Sequence, residues 1–387
     1  MICVAIVGTG NISQMHIEGL LELKDRCKIT ALVDIFPEKA EEKKERFGLK
    51  DAAVFKSHQE MLESSVKIDL VHVCTPPYVH ADISIDCMDA GKHVLVEKPM
   101  ATCLKECDAM IAAEKRNKVT MSVIAQNRYI DSVYKLKELS ESGIAGKVRV
   151  AHVDSFWWRG HCYYDLWWRG LWEKEGGGPT LNHAVHQIDM INWIQDSLPI
   201  EVTAVLSNVM HDNSEVEDIS FAILKYADGT LAEVTSSVVH HGEGQSITLQ
   251  CEKAKIAAPF SCEAELSKPN GFPERNDALI SEITNKYNAM PSLTYKGHTG
   301  QIDNVLRALE QGVKPDITSP DGRRAIELIT AIYKAGCLKQ TAQLPIKETD
   351  DYYTFEGILK NAIHFYNKTT SVENLGGSDI TVGSLDK

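Results

Sequence analysis

A glycine turn set between a strand and a helix constrains this chain more than any other feature. Ile2–Val7 is apolar, Gly8-Thr9-Gly10-Asn11-Ile12-Ser13 follows, and helical spacing begins at Met15, Ile17, Leu20 and Leu21. Glycines let the backbone approach a pyrophosphate closely, and the N-terminus of the next helix offers it unpaired amides and a partial positive charge. The third glycine of the usual fingerprint is absent; Ser13 stands there and is small enough to keep helix and strand close. Residues 28–33 read as a second strand ending on Asp34, where a carboxylate accepts hydrogen bonds from adenosine ribose hydroxyls. A 2′-phosphate is repelled at that position, and Ile35-Phe36-Pro37 supplies no arginine to hold one, so NAD is expected rather than NADP.

Strand and helix then alternate. Residues 38–47 read as a helix, 68–74 as a buried strand, 78–90 as a helix, 93–96 as a strand, 104–116 as a helix and 119–123 as a last strand. This is a doubly wound parallel sheet, a Rossmann domain over residues 1–125. Ligands bind beyond the carboxyl ends of such strands, which puts Thr75, Pro76, Glu97 and Gln126 on the same rim as the glycine turn. The strand His93-Val94-Leu95-Val96 ends in Glu97-Lys98-Pro99, so Lys98 stands at the mouth of the crevice, where Pro99 stops the strand. A lysine partly stripped of water is suited to proton transfer; the plainer alternative is a solvated lysine at a strand end.

From Lys147 the pattern changes. An alternating strand over 148–156 runs into an aromatic insert, FWWRGHCYYDLWWRGLWEKEGGGPT, which holds five of the six tryptophans. Aromatic faces with fixed polar donors suit a sugar ring, and they also suit a core or a subunit interface. Gly176-Gly177-Gly178-Pro179 starts a helix on which Leu181, Val185, Ile188 and Ile191 form the buried stripe; Asn182 and His186 share another face, with Asp189 close by. A histidine there exchanges protons near neutral pH, and the glycine run before it is read as room for a ligand to approach. Strands over 200–209, 219–226, 231–238, 246–251 and 255–258, with a hairpin turn at Asp228-Gly229, give an α+β domain built on a large, open, mainly antiparallel sheet. Its free face is expected to pair with a second subunit, giving a homo-oligomer, a dimer or a tetramer. Residues 262–297 read as irregular. His298 either reaches the crevice or caps the helix that follows, and capping is the simpler reading. A last long helix starts at Pro320 and runs to Leu338. The expected divisions are 1–125, 126–345, and a C-terminal extension over 346–387 whose Gly/Ser/Asp-rich end is mobile.

Composition narrows the partners. A net charge of −13 argues against nucleic acid, which needs a basic patch, and no apolar run approaches a membrane span. The opening MICVAIVGTG shows no basic leader, so a cytoplasmic location is expected. Ten cysteines without a CxxC pair read as reduced thiols, and no metal is expected.

GTGNIS after the first strand, TPPYVHADISIDCMDAGKHVLVEKPMA, and GGGPTLNHAVHQIDM together resemble the Gfo/Idh/MocA oxidoreductase family over residues 1–345. The resemblance implies an NAD-dependent oxidoreductase acting on CH–OH groups of carbohydrates, with Lys98 and His186 as the catalytic residues. The family's usual Asp four residues before that histidine is Asn182 here, which gives the substrate hydroxyl a neutral partner and shifts proton transfer toward Lys98 and His186. Within the family, the aromatic insert and the HDNSEVED segment look like the branch that oxidises glucosides and anhydrosugars at C3. The implied substrate contacts are Asn182, Arg159, Tyr164, Trp168 and His298; the implied cofactor contacts are Gly8, Gly10, Asn11, Ile12, Asp34, Thr75, Pro76, His80, Glu97, Lys98, Gln126 and Arg169. Alternatives with the same motifs are an inositol dehydrogenase and an NAD-retaining glycosidase that oxidises C3 transiently; outside enzymology stands an NAD(H)-sensing scaffold.

Overall fold

Six apolar runs in the first part of the chain form one parallel sheet in the computed structural model, which describes residues 1–373. They are β1 Ile2–Val7, β2 Cys27–Val33, β3 Ala53–Phe55, β4 Leu70–Val73, β5 His93–Val96 and β6 Met121–Val123, in the order β3-β2-β1-β4-β5-β6. Every pairing is parallel, and the order is that of a dinucleotide-binding sheet. Strands buried on both faces carry no polar alternation, as the complete burial of Ala5, Ile6, Leu70, Val71, Leu95 and Val96 shows. The sequence reading passed over β3 and the helix His58–Glu63. β3 is three half-buried residues at the sheet edge, too short to display a period.

The chain divides into two units, Met1–Gln126 with Thr294–Ile326, and Asn127–Leu293 with the chain from Glu327 onward. Residues 294–326 were expected in the second domain and belong instead to the first unit. The helix Gly297–Gln311 carries an apolar face that has only one core to enter: Ile302, Val305 and Leu306 pack with Val4, Ile6, Ile17 and Leu20. Gly19 makes room for it, since a Cβ there would lie 2.9 Å from Ile302 Cδ1. Gln301 closes the end of β6, accepting from the Ala125 amide at 2.9 Å and donating to the Val123 carbonyl at 2.8 Å.

The second unit holds β7 Val148–Trp158, β8 Glu201–Ser207, β9 Ile219–Lys225, β10 Leu231–Ser237, β11 Val239–Cys251, β12 Lys255–Ala258, β13 Ser261–Glu263, β14 Glu265–Ser267, β15 Pro273–Arg275 and β16 Ala342–Gln343. Eight of them form a sheet ordered β13-β12-β11-β7-β10-β9-β8-β16, and β14 pairs with β15 as a separate hairpin. The large sheet is antiparallel except for the β7–β10 pair. Gly229, at φ 88°, turns β9 into β10. One face buries Val153, Val202, Leu224, Val234 and Ile247, while Val205, Phe221 and Ile223 on the other are 65%, 48% and 49% exposed. Residues 262–297, read as irregular, contain the β14–β15 hairpin and the helix Asp277–Ala289. Their Pro and Asn residues mark the hairpin and the cap: Asn276 accepts from the Leu279 amide.

The C-terminal extension is part of the second unit. Residues 363–373 lie along the aromatic insert: the Val372 amide donates to Asp165 O at 2.8 Å, the Trp167 amide to Val372 O at 3.0 Å, and Trp172 Nε1 to Ile363 O at 3.0 Å. The Gly/Ser/Asp-rich end expected to be mobile, residues 374–387, lies outside the described residues. Among the described residues no helix is long and apolar enough to cross a membrane.

Candidate active site

In the first unit the carboxyl ends of the parallel strands converge on one rim. Gly8 follows β1 at φ 92°, and a Cβ there would lie 2.6 Å from the Cys74 carbonyl oxygen, so only glycine fits between β1 and β4. A Cβ at Gly10 would meet nothing within 4 Å, which leaves an open cradle. The helix Ser13–Glu22 begins beyond Asn11 and Ile12, and no side chain caps its first amides. Asp34 follows β2; its Oδ2 accepts from Thr9 N and Thr9 Oγ1, both at 2.8 Å, and its Oδ1 from Phe36 N at 3.0 Å. These bonds fix the carboxylate beside the glycine turn. Two buried atoms on the rim, Thr75 Oγ1 and Gln126 Oε1, have no partner among the described residues. Buried polar atoms are normally satisfied, so they mark where a ligand's polar groups would complete the site. The open cradle at Gly10, the positive end of the helix dipole beside it and the unpaired rim atoms all fit NAD, whose bound nicotinamide accepts a hydride.

If Asp34 is the ribose partner, Asp34→Ser is expected to lower the ratio of kcat/KM for NAD over NADP by about tenfold or more, because its charge-assisted bonds to the ribose would be lost and repulsion of a 2′-phosphate would end. Steady-state kinetics with both cofactors reads this directly; an unchanged ratio would contradict the role given to Asp34.

His80 was expected among the cofactor contacts, but its ring is fully buried: Nε2 lies 2.7 Å from Thr75 O and Nδ1 2.9 Å from Pro99 O. It therefore ties the turn after β4 to the turn after β5, and so positions Thr75, Pro76 and Lys98. Burial lowers its pKa despite the two carbonyls. Glu97 is buried and Lys98 half-buried; the Lys98 amide donates to Glu97 Oε2 at 3.1 Å. His298 is not a helix cap: Lys296 holds that position, and His298 Nε2 lies 3.4 Å from Glu97 Oε1.

The second unit contributes a different set. The helix expected after Gly176-Gly177-Gly178-Pro179 is two, Pro179–Asn182 and Val185–Gln195, so Asn182 and His186 do not share one helix face. Asn182 Nδ2 donates to the carbonyls of Gly177 at 2.9 Å and Gly178 at 3.3 Å. His186 is 9% exposed at the start of the second helix. Asp189, expected near the histidine, forms a buried bidentate pair with Arg128, Nε–Oδ2 2.8 Å and Nη2–Oδ1 2.6 Å, which anchors the helix.

The glycine run makes room for the protein itself rather than for a ligand. A Cβ at Gly177 would lie 2.1 Å from Tyr333 Oη, and one at Gly178 2.0 Å from the Glu217 carbonyl oxygen. Glu217 and Tyr333, which sequence reasoning missed, hold this turn. Glu217 accepts from Gly178 N at 3.1 Å, Thr180 N at 3.1 Å and Tyr333 Oη at 3.0 Å. The signal was the acidic HDNSEVED segment, whose next residue, Asp218, accepts from the amides of Val209 and Met210 and contacts His211 Nδ1 at 3.0 Å.

Burial pushes the Glu217 carboxyl up to about 7, against the hydrogen bonds from Thr180 and Tyr333 that pull it down. The folded state thus binds this proton more tightly than the unfolded chain. Its stabilising contribution is complete below the ordinary value of 4.5 and is lost as pH rises through about 7. Glu217→Gln removes the charge, so the melting temperature of the variant relative to wild type should climb as pH goes from about 5 to about 8. A difference independent of pH would contradict this.

The insert mixes packing with exposed rings. Trp157, Tyr164 and Trp172 are buried, whereas Trp158 and Trp167 are 42% and 37% exposed. Tyr164, expected to touch substrate, packs its ring edge-on against Tyr163 and His211. Arg159 pairs with Glu243 at 2.6 Å. Arg169, expected at the cofactor, pairs with Glu175 at 2.7 Å and lies over the rings of Trp168 at 4.1 Å and Tyr163 at 4.2 Å. Both guanidinium charges are thus already compensated within the second unit.

Known proteins carry the same architecture. The NAD-binding Rossmann-fold domain of an oxidoreductase family matches residues 2–125, and the Gfo/Idh/MocA C-terminal domain matches residues 133–257. The myo-inositol 2-dehydrogenase of Thermotoga maritima is 25% identical over 345 residues, 88% of this chain and 98% of that protein. The levoglucosan dehydrogenase of Pseudarthrobacter phenanthrenivorans is 25% identical over 252 residues, 59% of this chain and 63% of that protein. A WlbA dehydrogenase from Bordetella pertussis, solved with NADH and UDP-GlcNAcA, superposes with a TM-score of 0.75 at 26% identity, covering 89% of this chain and 99% of that one. Two domain matches in the family's order, a six-stranded sheet in dinucleotide-binding order and a rim fitted to NAD lead to one conclusion: the chain belongs to the Gfo/Idh/MocA family of NAD-binding oxidoreductases.

Proposed function

We propose that the chain oxidises a secondary ring hydroxyl of a sugar or glycoside, at C3, to a 3-keto glycoside, with NAD as hydride acceptor. The observation that carries this reading is the place of Lys98: a half-buried amine at the carboxyl end of β5, on the rim where the glycine turn, Asp34 and Thr75 would hold the cofactor. The C–H bond of the hydroxyl carbon breaks with its electron pair, and the hydroxyl proton goes to Lys98 or His186. Asn182 is proposed as the oxygen's neutral partner and Arg159, Trp168 and His298 as contacts of the sugar; the buried Tyr164 is not among them. The protein's share of the chemistry is orientation and deprotonation. Levoglucosan dehydrogenase among the relatives supports a glycoside, as do the exposed rings of Trp158 and Trp167. We place the reaction in the cytoplasm, and propose that the exposed Val205, Phe221 and Ile223 face pairs two copies of the chain, which light scattering after size-exclusion chromatography tests.

A cyclitol is the second reading, favoured by the nearly full-length match to a myo-inositol 2-dehydrogenase. Methyl glucosides, aryl glycosides, levoglucosan and inositols, each followed by NADH absorbance, separate the two. Turnover confined to inositols would overturn the glycoside reading, and aglycone release without net NADH would replace it with transient oxidation.

A further inference from the structure

Beneath Lys98 the first unit buries an array of titratable side chains that the reaction above does not use. His72 on β4 and His16 on the helix Ser13–Glu22 are completely buried, and Glu97 at the end of β5 is 3% exposed. His72 Nδ1 lies 3.0 Å from His16 Nδ1, and His16 Nε2 lies 2.9 Å from Glu97 Oε1. His298 Nε2 approaches that oxygen to 3.4 Å, and the other carboxylate oxygen accepts the Lys98 amide. The array runs from the middle of the sheet to the residue that carries the proposed base.

Hydrogen-bond bookkeeping fixes where its protons sit. A neutral imidazole carries one N–H, and two Nδ1 atoms 3.0 Å apart share one proton. His72 Nε2 is buried with no partner among the described residues. If His16 donated to His72, the proton of His72 would sit on that partnerless Nε2, and the Nε2 lone pair of His16 would face the Glu97 carboxylate at 2.9 Å. Both are costly in a buried site. The opposite direction satisfies both short contacts: His72 Nδ1–H donates to His16 Nδ1, and His16 Nε2–H donates to Glu97. Burial, the largest influence, holds His16 and His72 below the ordinary histidine value, consistent with neutral rings. For Glu97 burial acts upward, but the hydrogen bond from His16 and the nearby His298 outweigh it and hold the carboxyl well below its usual range.

The ligand-capable atoms of His16, Glu97 and His298 lie within 4.8 Å of one another, a spacing that could suggest a metal ion. The tautomer argues otherwise, because a His16 Nε2 that carries hydrogen has no lone pair to give a metal.

We propose that His16, set in its tautomer by His72, is a positioning residue for Lys98: it pins the Glu97 carboxylate, which holds the Lys98 backbone and keeps one negative charge fixed next to the base. This rests on the assignment of Lys98 above. The other titratable groups that feel this charge are His298, Cys74 and His80, and His80 also feels Lys98. A fixed negative charge favours the ammonium, so the array sets the pH at which Lys98 becomes able to accept a proton.

Two measurements test it. Side-chain 15N spectra of histidine-labelled protein, assigned with single variants, should show His16 protonated at Nε2 and His72 at Nδ1. His16 protonated at Nδ1, or a stoichiometric metal in the purified protein, would overturn the proposal whatever the enzyme oxidises. In kinetics, His16→Leu should lower kcat about tenfold and move the acid limb of the kcat profile down by about one pH unit, with the NAD dissociation constant held within about threefold. His16→Gln, whose amide can still donate to Glu97, should restore most of both. Should His16→Leu fail to fold, His298→Leu, which leaves no donor toward Glu97, should move the limb in the same direction by a smaller amount. An unmoved limb in His16→Leu, or in His298→Leu where that variant stands in, sinks the positioning role if Lys98→Ala is inactive. If Lys98→Ala is fully active, the reaction assignment fails instead, and the spectra still decide the array.

Discussion

Lys98→Ala should lose about 100-fold or more in turnover while NAD still binds with near-native affinity. The residue stands at the carboxyl end of β5, and the pairings of His93–Val96 to β4 and of Val94–Val96 to β6 are made by backbone. The glycine turn, Asp34 and Thr75, proposed to hold the cofactor, are untouched. Turnover by NADH absorbance, beside NAD affinity by calorimetry, separates the two functions. An active Lys98→Ala enzyme would refute the assignment of the base, and a variant that no longer bound NAD would show the lysine to be part of the cofactor site instead.

Gly178→Ala should be a strongly damaging single-methyl change in the second unit. Its Cβ would lie 2.0 Å from the Glu217 carbonyl oxygen, a backbone atom, and 2.8 Å from the carboxyl carbon of the buried Glu217 side chain, which leaves little room for relief. Overpacking of this kind costs about 3 kcal/mol or more, so we expect a lowered melting temperature. The short helix Pro179–Asn182 would shift with it, and the sugar KM should rise while NAD affinity stays. A variant with unchanged melting temperature and unchanged KM would mean that the glycine run is not the clamp described here.

The Rossmann half was legible because its physics is local. Apolar runs, the glycine turn and the Asp34 that ends β2 each have a sequence signature within one strand–helix unit. What escaped was short or remote. β3 is three residues long, and the assignment of the helix Gly297–Gln311 to the first unit depends on Gly19 and Gln301, whose partners lie far away in sequence. The glycine run before His186 was read as an opening for a ligand, because nothing nearby reveals that Tyr333 and Glu217 fill the space. The same holds for His80: its partners Thr75 and Pro99 stand on two turns that meet only in the folded sheet. His16 and His72 looked like ordinary positions in a helix and a strand, and only the contact of His16 with Glu97 and of His72 with His16 points to the positioning role proposed for them.

Isotope transfer tests the central claim most directly. A glucoside carrying deuterium on C3 is incubated with the enzyme and NAD, and the reduced cofactor is examined by mass spectrometry and NMR. We expect one deuterium at nicotinamide C4 for each 3-keto product formed. Reduced cofactor without deuterium would place the oxidised carbon elsewhere on the ring, and no reduced cofactor with any glycoside would contradict the account as a whole.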